Sequence, residues 1–151
     1  MMIPNITSLK LPKIIDAARR LPLKGKTHLT ENNLFSLKID DDFVHQLFPL
    51  LKDDRIKKPN YFGEKSAGAH ITIIYPEENK IIDANDLQQE HTFFIKDIVT
   101  AEIGIKTYYV LLVESPSLLK LRKKYGLPEL LDFKGYSIEF HITIGVNSDH
   151  F

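Results

Sequence analysis

The tetrapeptide His-Ile-Thr-Ile occurs twice in this chain, as His70-Ile71-Thr72-Ile73 and as His141-Ile142-Thr143-Ile144. Each copy sits in a short run rich in β-branched residues and reads as a strand. Side chains alternate along a strand, so histidine and threonine share one face and the two isoleucines share the other. An internal repeat of this kind predicts two similar structural units. In each, the isoleucines anchor the strand on a covering helix and leave imidazole and hydroxyl on an open face.

The surrounding segments repeat in a similar order. Residues 34–39 alternate as a strand, and Asp40-Asp41-Asp42 opens a helix carrying Phe43, Val44, Leu47, Leu50 and Leu51 at helical spacing. A loop leads to a strand over residues 69–75, stopped by Pro76. In the second half, residues 92–102 and 107–113 form an expected antiparallel pair about Gly104. Ser115-Pro116 then opens a helix with Leu118, Leu119 and Leu121 inside and Lys120, Arg122, Lys123 and Lys124 mostly outside. Residues 136–146 form the last strand, and residues 82–89 suit a short helix. The expected fold is α+β, one domain over residues 1–151, with no linker dividing it. Its two antiparallel-sheet lobes cover about residues 30–91 and 92–151, each sheet covered by a helix on one face. If the lobes face each other about a pseudo-twofold, their open faces form a cleft between them.

Composition removes several classes of function. No cysteine is present, which excludes a disulfide scaffold, a thiolate nucleophile and cysteine-ligated metal centres. No run approaches the roughly 18 apolar residues of a membrane span, and the opening residues lack a signal peptide's apolar core, so a cytoplasmic protein is expected. The 20 basic and 20 acidic side chains cancel, so net charge gives no general attraction to nucleic acid. The balance is uneven along the chain: residues 1–26 hold six basic groups and one acidic group. That head reads either as a phosphate-facing arm or as a solvated helix over about residues 12–20, with Ile14, Ile15 and Ala18 inward.

The duplicated motif defines the candidate chemistry. Histidine changes charge near neutral pH, so one of His70 and His141 can act as base while the other enters as acid. The hydroxyls of Thr72 and Thr143 can donate to non-bridging phosphate oxygens. Such a set suits in-line cleavage of a phosphodiester without a metal. A zinc site from His70, His141 and a carboxylate is the rival reading, but it leaves the threonines without a role. His28-Leu29-Thr30 has the same spacing, but it runs into the polar, turn-like Glu31-Asn32-Asn33 and lacks the isoleucine anchors. His45, His91 and His150 fall in a helix, in a loop and at the terminus, where no geometry is implied. Glu139 should share the face of His141, where it could orient the imidazole, bind a ribose or sit as a solvated edge. Tyr75, Tyr61 and Phe62 flank the first motif and could stack a base or pack the core. Ser36 and Lys38 alternate with apolar neighbours, which makes Lys38 a candidate phosphate contact.

With these residues the chain resembles the 2H phosphoesterase superfamily, whose members carry two H-h-T-h motifs, one per half, each on a strand. The likeness extends to LFSLKIDDDFVHQLFPLL and HITIIY in the first half and to YYVLLVESPSLLKLRKKYGL and FHITIGV in the second, roughly residues 34–146. It departs at Pro76-Glu77, where a glycine and a glutamate are common, and at Phe140, where a proline often precedes the histidine. The resemblance implies a bilobal fold with outer helices, a central V-shaped cleft and no cofactor. It also implies hydrolysis or transesterification of RNA-type phosphodiesters, with His70 and His141 as the catalytic pair and Thr72 and Thr143 as the phosphate-binding pair. The expected substrate is a small nucleotide or oligonucleotide bearing a 2',3'-cyclic phosphate or a 2'-5' linkage, taken by a monomer. The alternatives are a hydrolase of 3'-5' cyclic oligonucleotides, a non-catalytic nucleotide- or RNA-binding module, and a protein-interaction domain.

Overall fold

A computed structural model describes residues 2–148, so His150 lies outside the described residues. In chain order the elements are β1 (Asn5–Ser8), α1 (Pro12–Arg19), β2 (Lys24–Leu29), β3 (Phe35–Lys38), α2 (Asp42–His45), β4 (His70–Ile74), β5 (Glu90–Thr92), β6 (Phe94–Ile103), β7 (Lys106–Glu114), α3 (Pro116–Lys124), β8 (Leu131–Phe133), β9 (Tyr136–Ile138) and β10 (His141–Asn147). The fold is α+β. Two four-stranded antiparallel sheets have the orders β4-β3-β2-β5 and β1-β6-β7-β10, and β8-β9 forms a separate hairpin. Among the described residues, no helix is long and apolar enough to cross a membrane.

Both motif strands are edge strands, and they lie against one another. Their anchoring works as the alternation predicts: Ile71, Ile73, Ile142 and Ile144 are fully buried in one continuous core. Burying four such side chains contributes roughly 1.5–3 kcal/mol each, which fixes which face of each strand turns outward.

The covering helices are exchanged relative to expectation. The second-half helix α3 packs on β4 and β5 of the first sheet, whereas α2 packs on β10 and α1 on β6 of the second. The cause lies in the abutting edges: a helix that leaves one sheet meets the apolar face of the other beside it. Phe43 of α2 accordingly packs on Phe93, the residue at which the chain crosses between sheets, with ring centroids 5.7 Å apart. The sheets also recruit residues outside the expected lobe limits. The first begins with β2, before residue 30, and the second takes its edge strand β1 from residues 5–8.

Several elements are shorter than the pattern implies. The helix expected from Phe43 to Leu51 is one α-turn followed by a 3-10 turn, Phe48–Leu51, because Pro49 offers no N–H to continue it. Residues 82–89 hold only the 3-10 turn Ala84–Asp86. The single strand expected over 136–146 is broken at Glu139-Phe140, since β9 turns back on β8 while β10 joins β7. Residues 24–29 form a strand, so His28 does have a strand context. Its side chain is exposed, however, and lines a separate shallow groove.

Candidate active site

The two motif histidines are held in the same way. His70 Nδ1 donates to the Gly68 carbonyl at 2.6 Å, and His141 Nδ1 donates to the Glu139 carbonyl at 2.9 Å. A carbonyl oxygen only accepts, so each Nδ1 carries the proton and each Nε2 presents a lone pair. Gly68 adopts φ +65°, a conformation available to glycine without strain, and this turns its carbonyl toward the ring. A side chain there would also meet Lys38 Nζ at 2.7 Å and Asp41 Oδ1 at 2.9 Å.

His70, Thr72, His141 and Thr143 all line one cavity of about 840 Å³, together with Tyr75 and Glu139. That volume lies within the range of small-molecule sites. Gly145 secures the β10 side of it. A Cβ at that position would stand 2.5 Å from Ile56 Cγ2, so only glycine lets the 56–57 segment pack on the strand.

Aromatic side chains surround the four motif residues. Tyr61 stacks edge-on to His70 and donates its hydroxyl to the Thr143 carbonyl, joining the two motif strands. Tyr75 is hydrogen-bonded to the Thr72 hydroxyl, and its ring packs on Phe133 at 5.2 Å. Phe133 in turn meets Tyr108 edge-on at 6.0 Å. Phe133 and Tyr108 were not candidates from sequence: Phe133 belongs to the unexpected hairpin, and Tyr108 sits in a run that reads simply as strand. Phe62 is not part of the lining; it packs on Tyr61 and His45.

Other candidates are placed differently from expectation. Lys38 is the cross-strand neighbour of His70 but does not line the cavity. Its ammonium donates to Asp41 Oδ1 at 2.5 Å, to the Ile39 carbonyl at 2.8 Å and to the Ala69 carbonyl at 3.3 Å, so its three protons have partners. Lys38 is therefore a structural clamp beside His70 rather than a free phosphate contact. Glu139 does reach the cavity, but its carboxylate pairs with Lys96 at 2.7 Å, and its backbone carbonyl orients His141. His91 points toward α3, where Nδ1 lies 2.8 Å from Ser117 Oγ. The basic head supplies β1, α1 and the start of β2; Ile14 and Ala18 of α1 are buried, and none of the head's charged residues lines the cavity. Among the described residues, no group of three or more His, Asp or Glu is placed to hold a metal ion.

Burial sets the electrostatics. It lowers the pKa of His70 against the opposing pull of its bond to Gly68, and the nearby His141 and Lys38 charges lower it further. Burial likewise lowers His141, against its bond to Glu139. It pushes the phenols of Tyr61 and Tyr75 well up, so both remain neutral donors.

One buried ion pair braces the site from behind. Arg122 is fully buried, not exposed as its helical position suggested, and it uses every donor. Nε donates to the Pro128 carbonyl; Nη1 to the Ile73 carbonyl and Glu78 Oε1; Nη2 to Glu78 Oε2 and the Leu130 carbonyl. Glu78 Oε1 also accepts from the Tyr75 backbone N–H. The end of β4, the turn after it and the loop before β8 are thereby tied to α3.

Residues 35–151 match the sequence model of a family described as Swiss Army Knife, 2H phosphoesterase domain. The match includes both histidines, both threonines and every aromatic residue of the cavity. No curated protein and no solved structure matches the chain significantly.

Proposed function

Since the chain belongs to the 2H phosphoesterase family, we propose that it cleaves a nucleotide or oligonucleotide phosphodiester by paired-histidine acid–base catalysis. The observation that carries this reading is the matched fixing of His70 and His141. Each ring is committed through Nδ1 to the carbonyl two residues upstream, and both line one cavity with Thr72 and Thr143.

In this reading the scissile phosphate lies between the two rings of a V-shaped, pseudo-twofold cleft. One neutral imidazole accepts at Nε2 the proton of the attacking water or hydroxyl. The other, protonated at Nε2, gives a proton to the departing ester oxygen. The electron pair of the breaking P–O bond leaves on that oxygen, and the two histidines end with their protonation states exchanged. The threonine hydroxyls donate to the non-bridging oxygens, where charge builds in the transition state. Tyr75 supports Thr72 from behind, and the Tyr75, Phe133 and Tyr108 rings offer a face for a base. Either a 2',3'-cyclic phosphate or a 2'-5' linkage suits this arrangement, in a cytoplasmic monomer that needs no cofactor.

The test is to incubate the chain in EDTA with 2',3'-cyclic nucleotides, 2'-5' dimers and 3'-5' cyclic dinucleotides and to identify the products. Cleavage of one of the first two, lost in His70→Ala and in His141→Ala, is the expected result. Binding without turnover across the panel would instead support a non-catalytic module.

A further inference from the structure

The cavity continues beyond the four motif residues, and among the described residues the cations Lys57 and Lys106 in its far part have no acidic partner. Residues directly opposite in an antiparallel pair share a face. Val146 lies opposite Tyr108 on one side and Lys57 on the other. Lys57 is held there by paired backbone bonds of 2.8 and 2.9 Å. Lys57 therefore stands on the cavity face. Thr143 lies opposite Val110 on β7, and Tyr108 and Lys106 follow on that same face by alternation. At about 3.4 Å per residue, the rows of Lys57 and Lys106 lie roughly 7 and 14 Å beyond Thr143. Both lysines line the cavity, as does Tyr108, which shares the row of Lys57 and stands between the Thr143 row and Lys106 along β7.

Among the described residues, the charge at this end has one sign. Lys58 also borders the cavity, but its ammonium lies 3.0 Å from His45 Nδ1. Glu139, the one carboxylate among the described lining residues, sits at the opposite end and is paired with Lys96. Among the described residues, neither Lys57 nor Lys106 takes part in an ion pair.

We propose that Lys57 and Lys106 form a second anion subsite, which takes a phosphate one nucleoside away from the reacting phosphodiester, so that the substrate carries at least two phosphates. The inference rests on the proposed reaction for the place of the first phosphate. Tyr108 supplies the apolar surface for the nucleoside between the two. A cyclic mononucleotide with a single phosphate would leave this end of the cavity unused.

Calorimetric binding tests the subsite without turnover. Adenosine 3',5'-bisphosphate should bind the wild-type chain about tenfold tighter than adenosine 3'-monophosphate, the effect of a charge-assisted contact. In Lys57→Ala/Lys106→Ala that advantage should vanish, while the monophosphate affinity stays within about twofold. Both side chains are exposed, so a thermal melt should show the fold intact. Equal affinities in the wild type, or an advantage that survives the double substitution, would overturn the proposal. In turnover, a dinucleotide with a terminal phosphate and a trinucleotide distinguish a terminal from an internal second phosphate. A bisphosphate preference with no diester cleavage would keep the subsite and remove the proposed reaction. Cleavage with no preference would do the reverse.

Discussion

Tyr61 stands edge-on to His70, with ring centroids 4.9 Å apart and planes inclined by 69°. Its hydroxyl donates to the carbonyl of Thr143, so a single side chain holds both motif strands in register. Tyr61→Phe keeps the ring contact and removes the bridge. It should cost about 1 kcal/mol of stability in a denaturant titration and should lower kcat more than it raises KM. Tyr61→Ala removes both contacts and should cost more on each measure. A Tyr61→Phe chain indistinguishable from wild type on both measures would show that the bridge itself does nothing.

Replacing either motif histidine by alanine should lower kcat about 10²–10⁴-fold. The pair acts as a unit, so the double substitution should be little worse than the poorer single one. Thr72→Ala and Thr143→Ala should cost about 1.5–3 kcal/mol of transition-state stabilisation, and Thr→Ser less. His28→Ala should behave as wild type, because the side chain points into a separate groove. Steady-state kinetics on whichever diester is cleaved checks all of these.

How much of this was legible in the sequence depends on where the determining contact lies. The facing of His70, Thr72, His141 and Thr143 follows from strand alternation and from four buried isoleucines, all of them local signals. The run from Ser115 to Lys124 was equally clear, with Ser115 Oγ accepting from the Leu118 N–H as an N-cap should. Arg122 was not, because its five acceptors come from residues 73, 78, 128 and 130, which nothing in its helical spacing reveals. Lys38 was misplaced for a similar reason: its alternation was right, but Asp41 lies close enough to hold its ammonium. The break at Glu139 was hidden because the run on either side of it is uniformly strand-like.

The Arg122–Glu78 pair is almost completely shielded, with side chains 0% and 4% exposed. Arg122→Ala or Glu78→Ala leaves the partner charge buried and unpaired, and each should destabilise the chain by about 3–5 kcal/mol. Arg122→Lys should rescue little, since three donors cannot meet five acceptors. The double substitution Arg122→Met/Glu78→Leu should cost clearly less than the two single losses added together. Urea unfolding midpoints give all three comparisons.

Stability should fall with acidification from near neutrality. His70, His91 and His141 each have a folded pKa lowered from 6.5, mainly by burial. The unfolded chain therefore takes up protons at a higher pH than the native one. The stabilisation is complete above about pH 6.5 and is lost as pH drops toward the folded values. Asp41, held below its usual 3.8 by Lys38 and the Ala69 N–H despite burial, adds a further loss only at lower pH. Unfolding midpoints from pH 8 to 5 should decline, and His141→Gln should flatten the decline. Turnover should be bell-shaped, with its optimum on the acid side of 6.5, because a singly protonated pair is most populated there.

The exchange of helices between the sheets bears on how the polypeptide is born. During synthesis β2, β3 and β4 emerge long before α3, the helix that covers their apolar side. The second sheet waits in turn on β10 to complete it, although its edge strand β1 emerges before the other elements. Neither half can bury its core from its own residues, so severed halves should remain soluble only in each other's company. Contacts of such long sequence separation make for slow folding and a late commitment to the native state. The nascent chain should therefore stay protease-sensitive until β10 has left the ribosome, and β1 and β10 should become protected together.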